Sequence, residues 1–256
     1  MPGGCLYSHF YKRDSGLYLT DLEVNNRNEV ALIPPTKQPP SSDAMLDPAS
    51  VFALATDDQG QLHLGIPIWT LPLILPVLIP PVIALGAAAD PLTDPYHALE
   101  VTRPLLFVCA DHSPALNLRK RALEALSPLT DAQVRTELMH SAVFLSRSPA
   151  SSSQWHHRLW IISQQELPRK THDGAMSDIF TREHAVIARA AARKQRNYYA
   201  WTYRIRLRQA LEPTLGLTSN RAQIDQVDEA LVQQWLLDGH GGDSSAKVYL
   251  AWMGSR

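Results

Sequence analysis

The chain has 256 residues, 45% hydrophobic and 19% charged, with 24 basic against 25 acidic side chains and a formal net charge of −1. That length carries one substantial core or an elongated repeat array with a continuous one, and the charge balance excludes a chain-wide electrostatic footprint for nucleic acid or an acidic partner. The two cysteines, Cys5 and Cys109, stand in no CxxC spacing that would suggest zinc or redox work, and they fit a reducing compartment.

The first residues, "MPGGCLYSHFYKRD", lack the charged start and apolar core of a signal peptide, and the final "MGSR" is no lipidation box. A cytoplasmic location is expected. Residues 1–60 mix short apolar runs with turn residues, among them "IPPTKQPPSSD", and read as an irregular N-terminal segment ahead of a helical domain over 61–256. From Leu64 to Ala89 there is no charged residue, a length that could span a bilayer. Pro67, Pro72, Pro76, Pro80 and Pro81 interrupt it. Each interior proline removes a helix hydrogen bond and costs about 3 kcal/mol, so a broken, buried segment packed on the first helices is predicted rather than a membrane span.

From about Asp94 the chain turns rich in Ala, Leu, Arg and Gln, which favours helix. Three segments, 98–123, 135–162 and 182–207, align with one another as a helix, a polar break and a second helix. In each second helix a large apolar residue is followed three positions later by arginine: Leu116 with Arg119, Trp155 with Arg158, Trp201 with Arg204. The anchors lie about 40 and 46 residues apart, the size of an α-hairpin repeat, and residues three apart share a helical face. Ser151–Ser153 and Asn197 stand where N-caps belong. The repeats run over about 98–126, 135–165 and 178–211, with a degenerate copy over 222–253 in which Tyr249 or Trp252 replaces the anchor and no arginine follows at the repeat's spacing. The array is expected to be degenerate or cut short there.

His156 and His157 are neighbours on a helix and so point about 100° apart. They cannot converge on one metal, and no metal site is expected on this chain. Trp155 and Trp201 are expected in the core, with Arg158 and Arg204 paired to a carboxylate or to helix-end carbonyls of the next hairpin. Between Glu183 and Glu212 seven basic residues, from Arg189 to Arg208, interleave with Tyr198, Tyr199, Trp201 and Tyr203. That pattern also suits a surface for single-stranded RNA.

"NYYAWTYRIRL" (197–207) resembles the protein prenyltransferase α-subunit repeat, whose signature is an Asn-Tyr pair, a tryptophan and an arginine three residues on. "SQWHHRLWII" (153–162) is similar to a second copy, and "ADHSPALNLRKRAL" (110–123) to a third with Leu116 in the tryptophan position. Asn117, Arg119–Lys120 and the upstream "LGIPIWTLP" resemble the repeat-containing relative of the enzyme α subunits. The likeness covers roughly 61–210.

It implies an all-α, right-handed α-α superhelix of stacked hairpins wrapped around a β subunit. The β subunit would carry the zinc, the lipid pocket and most substrate contacts, with no cofactor on this chain. The reaction implied is transfer of a farnesyl or geranylgeranyl group from its diphosphate to a protein cysteine. The resemblance also implies a diphosphate-side role for Asn197, Tyr198 and Tyr199, although Tyr199 replaces a histidine. Ala150, Ser151 and Ser152 stand where the enzyme subunits carry Lys-Asn-Tyr. Lys194 and Arg196 are the candidate replacements for that lost cation, and no catalytic residue is assigned to this chain. A non-catalytic interaction scaffold and a helical-repeat RNA-binding protein are the alternatives.

Overall fold

The computed structural model describes residues 29–33, 53–56, 62–67, 70–87, 94–166, 173–215 and 221–255. Cys5 and the Pro-rich stretch from Pro34 to Asp43 lie outside the described residues. Three short strands, two within the N-terminal segment expected to be irregular and one just after it, form a sheet of order β1-β3-β2: β1 (Glu29–Ile33), β2 (Ala53–Thr56) and β3 (Leu62–Pro67). β1 runs parallel to β3, from Glu29 opposite His63 to Ile33 opposite Pro67, and β2 pairs antiparallel with β3 from Ala53 opposite Gly65 to Thr56 opposite Leu62. The all-α expectation therefore holds from Thr70 onward, and β3 falls inside the range expected to be helical.

The chain divides into two compact units, Met1–Leu129 with Met139–Arg147, and Thr130–Leu138 with Ser148–Arg256. The first contains α1 (Leu71–Ala87), α2 (Pro95–Val108), α3 (Ser113–Ala125) and the end of α4 (Asp131–Arg147). α1 differs from the broken segment predicted: it is one helix through Pro76, Pro80 and Pro81. The reason lies in the spacing. Pro72, Pro76 and Pro80 recur every four residues on the exposed side, where carbonyls deprived of a donor meet water, while Ile74, Leu78 and Val82 make a buried stripe. That stripe packs on α2 and α3. Among the described residues no helix is long and apolar enough to cross a membrane.

α2 starts at Pro95 behind Asp94, whose carboxylate accepts from the His97 amide at 3.0 Å. α3 starts behind His112, whose Nδ1 accepts from the Ala115 amide at 3.1 Å. The core of this unit includes Leu105, Leu106, Leu118, Phe107 and Phe144, the two phenylalanines meeting edge to face at 5.0 Å.

The second unit holds the start of α4, then α5 (Ser152–Ile161), α6 (Asp173–Arg193), α7 (Tyr198–Leu215), α8 (Arg221–Trp235) and α9 (Ser244–Gly254). A single π-helical turn, Ile162–Glu166, closes α5, and α8 ends in a kinked segment, Leu236–His240, where Asp238 and Gly239 leave helical geometry. The second helices of the hairpins stack on one another, α5 on α7 and α7 on α9. The first helices α6 and α8 do the same, and α6 packs on α7 as α8 does on α9. This is the packing of a hairpin repeat, in which each unit buries its apolar face against the next.

Candidate functional site

The caps fix the repeat frame. Leu116, Trp155 and Trp201 each bond by backbone N–H to the carbonyl of the residue four before it, His112, Ser151 and Asn197, at 3.1, 3.2 and 3.3 Å. In α9 the cap is Asp243, and its carbonyl accepts from Lys247 at 3.2 Å. Lys247, exposed, therefore occupies the anchor position of the fourth copy, which corrects the assignment of that role to Tyr249 or Trp252. Tyr249 stands six residues after its cap, as do Tyr203, His157 and Leu118 after theirs.

That sixth position carries the seam. Arg158, one residue after it in α5, donates from Nε and Nη2 to Glu183 on α6 at 2.6 and 2.9 Å, and from Nη1 to the Leu138 carbonyl at 2.6 Å. Tyr203 on α7 donates to the same Glu183 carboxylate at 2.7 Å. The arrangement recurs one repeat on, where Asp228 on α8 accepts from Arg204 of α7 and from Tyr249 of α9. Each carboxylate on a first helix thus ties the second helix before it to the second helix after it. One repeat earlier, His157 Nε2 meets Glu137 Oε1 at 3.0 Å. Arg119 donates to the Leu99 carbonyl at 2.8 Å and to Thr102 at 3.0 Å, and meets His140 Nδ1 at 3.3 Å.

Arg158, Glu183, Arg204 and Asp228 are no more than 1% exposed, so these are fully desolvated pairs. Burial alone pushes the Glu183 carboxyl upward. The Arg158 and Arg182 guanidiniums and the hydrogen bonds from Arg158 and Tyr203 outweigh it and hold the pKa at about 2. His184 beside Arg204 is held down to about 4, by burial first and by that guanidinium second, against the raising effect of Asp228. Its neutral Nδ1 therefore accepts at neutral pH from Arg204 Nη1, 3.2 Å away.

Because the folded pKa of Glu183 lies below its ordinary 4.5, its contribution is complete above about pH 4.5 and is lost as pH falls toward 2. We expect Glu183→Gln to remove about 3 kcal/mol of acid-dependent stability over that window. Urea unfolding of wild type and variant at pH 6 and pH 2.5 measures it; an identical acid loss in both would contradict the assignment.

The residues singled out for a diphosphate do not converge. Asn197 is 1% exposed. Its Nδ2 donates to the carbonyls of Pro149 at 2.7 Å and Ala190 at 3.3 Å, and its Oδ1 accepts from the Ala200 amide. It is a cap held in the interior, with both amide atoms bonded to backbone groups. Tyr198 and Tyr199 are exposed and meet edge to face at 5.9 Å. They line a cleft of about 230 Å³ between α5 and α7 with Trp155, His156, Tyr203 and Arg206. Arg196 lines a different cleft, and Lys194, exposed on the turn after α6, lines neither.

His156 and Arg206, both exposed, are not among the residues expected at a diphosphate, and the stacking of α5 on α7 brings them beside the two tyrosines. The cleft thus pairs phenol, imidazole and guanidinium donors with an apolar wall of Trp155 and Leu159. The indole of Trp155 donates to the Pro149 carbonyl at 2.9 Å and packs, tilted by 38°, with its centroid 4.8 Å from that of Tyr203. Ser151 is buried as the cap of α5, its Oγ accepting from Gln154 N at 3.2 Å. The position of the missing Asn of Lys-Asn-Tyr is therefore filled by a working cap. Among the described residues no three His, Cys, Asp or Glu side chains come together as a metal site.

No family model matches the chain. It is similar to the zebrafish (Danio rerio) protein prenyltransferase alpha subunit repeat-containing protein 1, 31% identical over 122 residues that make up 42% of this chain and 27% of that protein. The human (Homo sapiens) protein of the same name is 31% identical over 121 residues, 42% of this chain and 29% of its own length. The rat (Rattus norvegicus) geranylgeranyl transferase type-2 subunit alpha is 31% identical over 111 residues, 41% of this chain and 18% of its own. The matched stretch of this chain is thus similar to parts of proteins named for a prenyltransferase alpha subunit or its repeats. The matched stretches thus cover less than a third of each relative. Within the helical repeats the seam acids Glu137, Glu183 and Asp228 stand 14, 14 and 15 residues ahead of the caps Ser151, Asn197 and Asp243. That spacing is the sequence signal by which they could have been found.

Proposed function

We propose that this chain acts as the α-type subunit of a protein prenyltransferase heterodimer, supporting transfer of a farnesyl or geranylgeranyl group from its diphosphate to a protein cysteine. The observation that carries the reading is the cleft between two stacked α-subunit repeats, where Tyr198, Tyr199, His156 and Arg206 open beside the caps of α5 and α7. Donors fixed in place before reaction stabilise negative charge as it builds on a departing group. Arg206 and the tyrosine hydroxyls bring donors of the right chemistry for a diphosphate to the cleft. Ala150, Ser151 and Ser152 bring no cation, so the remaining charge falls to the β partner, which in this reading also holds the zinc and the lipid pocket.

Co-expression with a protein prenyltransferase β subunit tests the assembly. A 1:1 complex that survives size-exclusion chromatography is expected. Elution of this chain alone, under conditions in which an enzyme α subunit captures the same β subunit, would overturn it. The buried Asn197 and Ser151 favour a second reading, a scaffold that binds its partner without serving the diphosphate; a stable complex with no transfer would select it.

A further inference from the structure

We propose that the surface formed by the α6–α7 turn and the first residues of α7 docks an acidic segment of a partner protein. The fold sorts the basic residues that lie between Glu183 and Glu212. Arg204 and Arg208 are buried and spent on Asp228, and Arg189 is half-buried. Arg193, Lys194, Arg196 and Arg206 are exposed. Glu183 is buried in the seam and the next acid along the chain is Glu212, so the turn and the start of α7 present cations to solvent with no carboxylate among them.

Lys194 and Arg196 make no ion pair among the described residues. The acids of the loop joining α8 to α9, part of which shares a cleft with Arg196, are already engaged. Asp243 Oδ1 accepts from the Ser245 and Ala246 amides at 3.0 and 3.2 Å, and Oδ2 accepts from the Trp201 indole at 3.0 Å. Asp238 accepts from Gln234 Nε2 at 2.7 Å. Arg196 also stands at φ 54°, a left-handed conformation that favours glycine. Backbone strain of this kind clusters at ligand clamps.

The second observation is aromatic. Tyr198 and Tyr199, directly after the turn, are 65% and 43% exposed. Tyrosine and arginine together are the residues that dominate protein–protein contacts, and a guanidinium fork pairs with a carboxylate through two bonds at once. A single-stranded nucleic acid fits less well. The two rings meet edge to face at 72°, which leaves no pair of parallel faces for successive bases. The net charge of −1 gives no long-range pull on a polyanion. The surface therefore suits a short segment with carboxylates over Lys194 and Arg196 and an apolar side chain against Tyr198. It adjoins the cleft assigned to the diphosphate and shares the two tyrosines with it, but does not depend on that assignment.

Fluorescence anisotropy of a labelled peptide EEGFGEE titrated with the full chain tests the proposal without any β subunit, so its failure is separate from failure of the heterodimer. Saturable binding that weakens with added salt is expected, with none of the basic counterpart KKGFGKK. Lys194→Glu combined with Arg196→Glu should weaken binding of the acidic peptide at least tenfold. The melting temperature should not change, since both side chains stand in solvent. Tyr198→Ser should weaken it several-fold. Absence of saturable binding at millimolar concentration, equal binding of KKGFGKK, tighter binding of a labelled oligouridylate, or undiminished binding by the charge-reversed variant would each overturn the proposal.

Discussion

Glu183→Gln should destabilise the protein by about 3–5 kcal/mol at neutral pH, the range for breaking a buried ion pair from one side. Arg158 is 1% exposed and its guanidinium is spent on Glu183 and the Leu138 carbonyl. Removing the carboxylate leaves a buried cation half-satisfied and takes the charged acceptor from Tyr203 at the same time. In a chain of this size the loss corresponds to a fall in melting temperature of roughly 10 °C.

A double variant sharpens the test. Arg158→Met with Glu183→Gln removes the stranded charge, so it should be less destabilised than the sum of the two single variants. Urea denaturation of the four proteins measures both terms. A loss below about 1 kcal/mol for Glu183→Gln, the level of an exposed pair, would contradict the buried seam.

Trp201→Ala should cost about 3–5 kcal/mol, the range for emptying a buried aromatic site. The indole is 2% exposed, packs 6.1 Å from the Tyr249 ring and donates to Asp243. Because Asp243 also caps α9 through Ser245 and Ala246, the tryptophan joins one repeat to the start of the next. Trp201→Phe separates the two roles. It restores most of the packing, leaves Asp243 Oδ2 without its donor and should cost about 1–2 kcal/mol. Amide exchange at Ser245 and Ala246 should quicken in Trp201→Phe while the amides of α5 keep their protection. Uniform quickening in both helices would show that the indole acts by bulk alone.

The repeat was legible because its signals are local. A tryptophan or leucine four residues behind a capping side chain, with arginine three further on, lies within two helical turns, and period and cap chemistry both report it. The acids that complete the seam were not legible in the same way. Glu183 and Asp228 lie on another helix, and a lone acid in a helical stretch looks like any solvated charge until packing buries it. The fourth copy was misaligned for a related reason: Lys247 holds the anchor position, so the aromatic residue two places on drew the assignment.

α1 shows the opposite failure. A proline count predicts a break, whereas their spacing puts Pro72, Pro76 and Pro80 on the solvent side of a helix held by Ile74, Leu78 and Val82. The candidate site was half legible. Tyr198 and Tyr199 are exposed together in the cleft, while Asn197, a residue type that serves equally as ligand or cap, is a cap. His156 and Arg206 belong to two different repeats, and only the stacking of α5 on α7 makes them neighbours.

The most direct measurement is incorporation of labelled isoprenoid from farnesyl or geranylgeranyl diphosphate into a cysteine-bearing protein substrate by the complex of this chain with a prenyltransferase β subunit. Transfer is expected to require both chains and to fall at least tenfold in Arg206→Ala with the complex intact. A stable, folded complex that transfers no isoprenoid from either donor would contradict it.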